Sequence, residues 1–204
     1  LRSKAVLMPG VAVSLTHEKS RDTQSWQFKG GLRDYLAQSL HGEPVIPLFE
    51  GEGFADKNND SFAEGEGAAW CVAFTEDGAP LRESYVNLIP TTAGGTHDSG
   101  LRDGLFQAVK AFIDMHSLLP KGVKLMPDDV FARASYVLNA KVLDPQFQGQ
   151  IKERLNSRDA VRLVSGFVRP ALELWLNEHV DWGKKLAEIA IKAAQTRQKA
   201  GQKV

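Results

Sequence analysis

The residues with the most chemical potential lie in one short run, Phe147-Gln148-Gly149-Gln150-Ile151-Lys152. A glycine-bearing loop that carries an amide and an ammonium can deliver both to a phosphate, Gln150 as a neutral hydrogen-bond donor and Lys152 as a point charge. The same pattern is a plain surface turn in most proteins, so the run alone leaves both readings open. A second run, Gly94-Gly95-Thr96-His97, opens a helix. Its glycines let the backbone turn tightly and Thr96 can cap, which by itself calls for nothing beyond a structural turn. The third feature is charge. From Gly183 onward the chain carries Lys184, Lys185, Lys192, Arg197, Lys199 and Lys203 against the single acid Glu188. A basic tail of this kind meets a polyanion, and a solvated helix face looks the same.

Other patterns exclude more than they suggest. Asp56, Asn58 and Asp60 imitate the start of a calcium loop, but Ser61 and Gly67 stand where its glycine and glutamate belong. The five histidines, His17, His41, His97, His116 and His179, show no metal-ligand spacing, so no metal site is expected. No serine sits in a Gly-x-Ser-x-Gly elbow, and no Walker lysine motif occurs. Cys71, the one cysteine, rules out a disulfide framework, and its place between Trp70 and Val72 reads as a buried, inert thiol.

These residues must be positioned by a chain of 204 residues, 43% hydrophobic and 25% charged. That length fits one domain or two small ones, with about 70% of the extended-chain surface buried on folding. Lys plus Arg and Asp plus Glu are both 25, so net charge argues neither for nor against nucleic acid. No apolar run approaches the ~18 residues of a membrane span, and no signal peptide follows Leu-Arg-Ser-Lys. The chain lacks an initiator Met and reads as a piece of something longer.

Periodicity predicts the elements. A helix ends near Leu7 and is stopped by Pro9-Gly10. Val11, Val13 and Leu15 alternate as a strand with one buried face, and Trp26 and Phe28 complete a hairpin. Leu32 to Leu40 is helical. The stretch from Gly42 to Gly67, with six acids and one Lys between Glu50 and Glu66, is expected to be an insertion, an irregular meander or partly disordered. Trp70 to Thr75 is a strand, the turn Asp77-Gly78 follows, and Ser84 to Ile89 is the next strand. Leu101 to Ile113 keeps a helical period, Pro127 starts a short helix, and Tyr136 to Val142 alternates as a strand. A helix over Val161 to Leu176, capped by Asn156 or Ser157 and kinked at Pro170, precedes a further helix through Leu186 to Ala193. The sum is an α+β two-layer domain with a long C-terminal helix.

Several segments together resemble a known family. Tyr85-Val86-Asn87-Leu88-Ile89-Pro90-Thr91, Gly94-Gly95-Thr96-His97 and Gly100-Leu101-Arg102 resemble the transducer domain of bacterial type II topoisomerase ATPase subunits. Asp144-Pro145-Gln146-Phe147 followed by Gly149-Gln150-Ile151-Lys152-Glu153-Arg154-Leu155 is similar to that family's Gln-Thr-Lys loop, with Ile151 where Thr is usual. Pro9-Gly10-Val11 and Phe28-Lys29-Gly30-Gly31-Leu32 match too, so the resemblance covers nearly the whole chain. The Asn-Leu-Ile-Pro-Thr run is more similar to the topoisomerase IV B subunits than to the gyrase B subunits, which tend to read Asn-Asn-Ile.

The resemblance implies a two-layer α/β sandwich of the ribosomal protein S5 domain 2-like type. Residues 1–8 are then the end of a helix from an absent GHKL ATPase domain. Residues 9–178 form the transducer, with 42–67 as an acidic insert, and 179–204 form a helix leading to an absent DNA gate. It implies ATP bound upstream with Mg2+, and Lys152 and Gln150 contacting the γ-phosphate; the one-sided charge of the tail adds the expectation of phosphate-directed DNA contacts from Lys184, Lys185 and Lys192. The implied partners are DNA, the topoisomerase IV A subunit and a second copy of the same chain, with no membrane, in the bacterial cytoplasm near the chromosome. The chain alone is expected to be inactive and to bind no cofactor, since no magnesium-binding Asn motif or general-base Glu is present. The rivals are a gyrase B transducer, a free-standing nucleic-acid module and a GHMP-type small-molecule kinase. The last needs a Gly-Leu-Gly-Ser-Ser phosphate loop, and the chain has none.

Overall fold

A computed structural model describes residues 1–201. The elements in order are α1 (Arg2–Leu7), β1 (Val13–Thr16), β2 (Thr23–Trp26), α2 (Leu32–Ser39), β3 (Phe49–Phe54), β4 (Gly67–Phe74), β5 (Arg82–Val86), β6 (Ile89–Pro90), α3 (Thr96–Met115), α4 (Pro127–Phe131), β7 (Ala134–Lys141), α5 (Asp159–Glu178) and α6 (Val180–Gly201). Five strands form one sheet in the order β3-β4-β7-β5-β6, and β1 and β2 form a separate hairpin. All sheet pairings are antiparallel except β5 with β7.

Side-chain alternation sorts the sheet into two faces. Trp70, Val72, Phe74, Tyr136 and Leu138 meet Leu101, Leu105, Phe112, Val164 and Leu172 of α3 and α5, with Leu186 and Ala190 of α6 beside them. Cys71, Ala73, Tyr85 and Val137 point the other way, onto Ala5, Val6, Tyr35 and Leu36 of α1 and α2. The α+β sandwich with a long C-terminal helix is thus the observed architecture. Close approach of α3 to α5 depends on Gly100, where a Cβ would lie 2.6 Å from the carbonyl oxygen of Val161.

Several local expectations are corrected. The acidic stretch 42–67 is not merely an insert or loop: it supplies edge strand β3, with Phe49 buried and Glu50 and Glu52 exposed. Glycines at 51 and 53 hid the strand pattern, and they are there because Trp70 and Phe167 occupy the space of their side chains. β4 and β5 are not neighbours, because β7, buried from Ala134 to Ala140, takes the centre between them. β5 ends early, at Val86, because Asn87 and Leu88 both turn with positive φ before β6. The hairpin β1–β2 forms as expected but packs inward only at the Val13–Trp26 pair, and Leu15 is half exposed. Helix α5 runs from Asp159 to Glu178 with Pro170 inside it, as its periodicity predicts. Pro170 and Gly166, whose carbonyl loses its donor, are both exposed, so water satisfies what the ring removes.

Candidate functional site

After β7 the chain makes a closed loop from Gln146 to Ser157. Phe147 and Leu155 pair across its neck. The Gln148 N–H donates to the Arg154 carbonyl at 2.9 Å, and the Asn156 N–H to the Gln146 carbonyl at 2.7 Å. The Gln146 N–H donates to Ser157 Oγ at 2.9 Å, so this hydroxyl closes the loop and does not cap α5. Neither Asn156 nor Ser157 is the cap: Arg158 holds that position without a side-chain bond.

One side of the neck is stapled to the Gly94-Gly95 turn. Leu155 donates its N–H to the Gly94 carbonyl at 3.1 Å and accepts from the Thr96 N–H at 3.1 Å. The Ala93 N–H reaches the Glu153 carbonyl at 2.9 Å, and Arg154 Nη1 donates to the Ala93 carbonyl at 3.0 Å. The Leu155 side chain is buried with Val86 and Ala160. Sequence reasoning named both glycine runs but missed this contact, since no local pattern predicts which distant turns dock.

The tip is a different environment. Gly149 and Lys152 have positive φ, +78° and +58°, and Gln150, Ile151 and Lys152 are all exposed, Ile151 at 79%. Lys152 Nζ lies 5.9 Å from the centre of the Phe147 ring, within reach of a cation–π attraction. Among the described residues neither the Gln150 nor the Lys152 side chain is engaged in an ion pair or hydrogen bond. A left-handed lysine costs about 1 kcal/mol, which the closed neck sustains. The arrangement is a rigid base that presents one amide and one ammonium outward, as an anion-recognising tip requires.

Behind the staple lies a buried polar hub the sequence did not reveal. Thr91 Oγ1 donates to the Ser84 carbonyl and contacts His97 Nε2, both at 2.9 Å. Ser84 Oγ donates to Asp98 Oδ2 at 2.9 Å, and the Tyr136 hydroxyl donates to Asp98 Oδ1 at 2.5 Å. Thr96, expected as a cap, is inside α3 with its hydroxyl buried and unpartnered; Gly95 holds the cap position. Burial holds the His97 pKa below its ordinary value of 6.5, although Asp98 opposes this. The native state therefore resists a proton that the unfolded chain accepts, and stability falls as pH drops through about 6.5. Expected slope from this one group is at most about 1.4 kcal/mol per pH unit, ending at its lowered native pKa. Urea unfolding from pH 7 to 5 checks this: His97→Gln should unfold with a shallower pH dependence than the parent.

Cys71 is buried on the strand as expected, and burial pushes its thiol up to about 12. Asp56 Oδ1 accepts from the Asn58 N–H at 2.8 Å, which makes that acidic run a local turn. Among the described residues no group of three or more His, Cys, Asp or Glu is placed to hold a metal ion. No described helix is long and apolar enough to cross a membrane.

The basic tail divides in two. Lys184, Lys185 and Lys192 are exposed on α6, as is Lys199. Seven-residue spacing puts Lys185, Lys192 and Lys199 on one face, about 10 Å apart along the axis, with Lys184 about 100° away. Arg197 points inward. Its guanidinium donates to both carboxylate oxygens of Asp129, at 3.0 and 3.1 Å, and to the Lys124 carbonyl at 2.7 Å, so it ties α6 to α4. Lys203 lies outside the described residues. The loop precedes α5 and Lys184 and Lys185 follow it, so the 20 residues of α5, roughly 30 Å of helix, separate the two candidate surfaces.

A sheet backed by α3 and α5, with this stapled loop at the start of α5, defines the class: the chain belongs to the DNA gyrase B family, whose model matches residues 31–204. Within that family it is 46% identical over 205 aligned positions to the B subunit of DNA topoisomerase 4 from Pseudomonas aeruginosa, covering all of this chain and 32% of that protein. It is 45% identical over 207 positions to the B subunit of the Escherichia coli enzyme. The chain thus spans about a third of the length of the curated relatives it matches. Among solved structures, the topoisomerase IV ATP binding domain of Francisella tularensis superposes with a TM-score of 0.77 at 34% identity, over 96% of this chain and 51% of that one. The 43K ATPase domain of Thermus thermophilus gyrase B gives 0.81 at 22% identity, over 98% and 53%, which speaks for the fold.

Proposed function

We propose that this chain is the transducer part of the ATPase subunit of a bacterial topoisomerase of the topoisomerase IV type. It couples ATP binding and hydrolysis in an upstream domain to passage of one DNA duplex through another. The observation that carries this reading is the stapled loop, whose tip leaves Gln150 and Lys152 free of partners within the described chain. The Lys152 ammonium binds the γ-phosphate of ATP as a point charge, and the Gln150 amide adds a hydrogen bond. The γ-phosphate supplies the charge whose presence or loss distinguishes the two states of the protein. Because Leu155 joins the loop to Gly94 and Gly95, a shift at the tip is transmitted to α3 and, through the neck, to α5.

The proposal assigns residues 1–8 to the end of the nucleotide-binding domain, 9–178 to the transducer and 179–204 to a helix toward the DNA gate. Adenine, Mg2+ and the attacking water are bound by the upstream domain. DNA, the A subunit of the same enzyme and a second copy of this chain are the partners, in the cytoplasm. The test is ATP-dependent unlinking of catenated circles by the full-length protein together with its A-subunit partner. Replacing residues 149–152 by four glycines should abolish unlinking and leave DNA binding intact. Unlinking at the parental rate would reject the reading.

The lysine face of α6 carries a separate expectation. If Lys184, Lys185 and Lys192 meet phosphates, the triple alanine variant of the full-length protein should bind DNA more weakly at low salt. The slope of log affinity against log salt should fall by about 1 for each phosphate no longer neutralised, up to roughly 3. An unchanged slope in a salt titration would remove these lysines from the DNA-binding surface.

A further inference from the structure

The tip of the 146–157 loop carries one residue that the coupling mechanism leaves unused. Ile151 stands between Gln150 and Lys152 and is 79% exposed, more than any other large apolar side chain among the described residues. A single exposed apolar residue is ordinary on a protein surface, so exposure alone argues nothing. Three further observations do. The backbone bonds from Gln148 to Arg154 and from Asn156 to Gln146 close the neck beneath the tip, so the tip is held out rather than slack. A Cβ added at Gly149 would meet nothing within 4 Å, so the tip stands clear of the rest of the described chain there. Finally, the loop is joined to the elements that lead in from the N-terminus. Lys4 Nζ of α1 donates to the Leu88 carbonyl at 3.2 Å. The Asn87 side chain donates to the Val142 carbonyl at 2.9 Å and accepts from the Val142 N–H at 3.0 Å. Val86, one residue earlier, is buried with Leu155 of the loop. The helix assigned above to the upstream domain therefore reaches the loop through one short series of contacts.

Resting on the function proposed above, we infer that Ile151 is an apolar anchor that docks the tip into the upstream nucleotide-binding domain beside the γ-phosphate, and so positions Lys152. Gln150 and Lys152 flank it in the chain, so a surface that receives both receives Ile151 as well. The anchor supplies what the lysine lacks. An ammonium on a flexible four-carbon stem fixes no distance by itself. A β-branched side chain has few rotamers to lose, so its burial costs little entropy. An apolar contact next to the ammonium also excludes water, and the attraction between charges is stronger where water is absent. Threonine, usual at this place in the resemblance, offers one methyl group and a hydroxyl. This chain's tip therefore grips its partner more through apolar burial than a threonine-bearing tip can.

The experiment titrates the full-length protein with a β,γ-imido analogue of ATP and with ADP by calorimetry. ADP lacks the γ-phosphate, so the ratio of the two affinities isolates what the tip contributes. Ile151→Ser should lower that ratio at least about tenfold, the scale of a lost apolar contact, and leave ADP affinity as it was. Ile151→Val, which loses one methylene, should stay within about fourfold of the parent. Thermal unfolding of both should match the parent, because the side chain packs against nothing that folding needs. A parental ratio for Ile151→Ser, beside a lowered one for Lys152→Ala, overturns the anchor and leaves the functional reading standing. Parental ratios for both overturn the functional reading and the anchor with it. A loss that falls equally on ADP overturns the anchor, since it does not depend on the γ-phosphate. So does an unchanged ratio with weakened self-association in sedimentation, which puts Ile151 against a second copy instead.

Discussion

Changing Lys152 to alanine in the full-length protein is expected to cut ATP turnover about a hundredfold while thermal unfolding stays within a degree or two of the parent. The two halves of the expectation have separate physical causes. Lys152 is exposed, with its ammonium 5.9 Å from the centre of the Phe147 ring, so truncation removes little buried area. Its positive φ strains lysine and alanine alike, because both carry a Cβ. In the proposed function the ammonium, by contrast, would meet a phosphoryl group whose charge is redistributed during transfer. Removing one such electrostatic interaction costs on the order of 3 kcal/mol of transition-state stabilisation. Gln150→Ala should cost less, because a neutral amide forms a weaker bond to an anion than an ammonium does. Steady-state ATPase of both variants, beside thermal unfolding, is the measurement. Near-normal turnover for a folded Lys152→Ala protein would reduce this loop to a turn.

Gly95→Ala should cost about 2–4 kcal/mol of stability, by combining backbone strain with overpacking. Gly95 has φ +151°, a region closed to residues with a Cβ. A Cβ there would lie 2.5 Å from the Leu155 carbonyl oxygen and 2.6 Å from its nitrogen. Both neighbours are backbone, so no rotamer change relieves them. The loop must move off the turn, and with it go the two hydrogen bonds that hold Leu155. Denaturant unfolding measures the loss, and hydrogen exchange at the Leu155 amide reports the undocking directly. Gly122→Ala is the control: φ is +81° but nothing lies within 4 Å, so the cost there should be about 1 kcal/mol. Equal losses at the two sites would show that strain alone acts and that the staple contributes nothing.

Periodic elements and local chemistry were already legible along the chain. The helices from Leu101 and from Val161 could be read because one buried face forces a 3.6-residue repeat, and the loop with Gln150 and Lys152 because glycine, amide and ammonium occur within four residues. The fold class followed from the order of those elements and from the family resemblance. Non-local features had to wait for the folded chain. The place of β7 between β4 and β5, the strand hidden in the glycine-rich stretch at 49–54, and the inward turn of Arg197 toward Asp129 each depend on partners distant in sequence. The same holds for the hub of Ser84, Thr91, His97, Asp98 and Tyr136, whose members come together from strands, a helix and the loop after β6. Local propensity fixes the conformation of a few neighbouring residues. The docking of the 146–157 loop on Gly94 and Gly95 joins segments some 60 residues apart, set by close packing of backbone on backbone, and no pattern read along the chain encodes it.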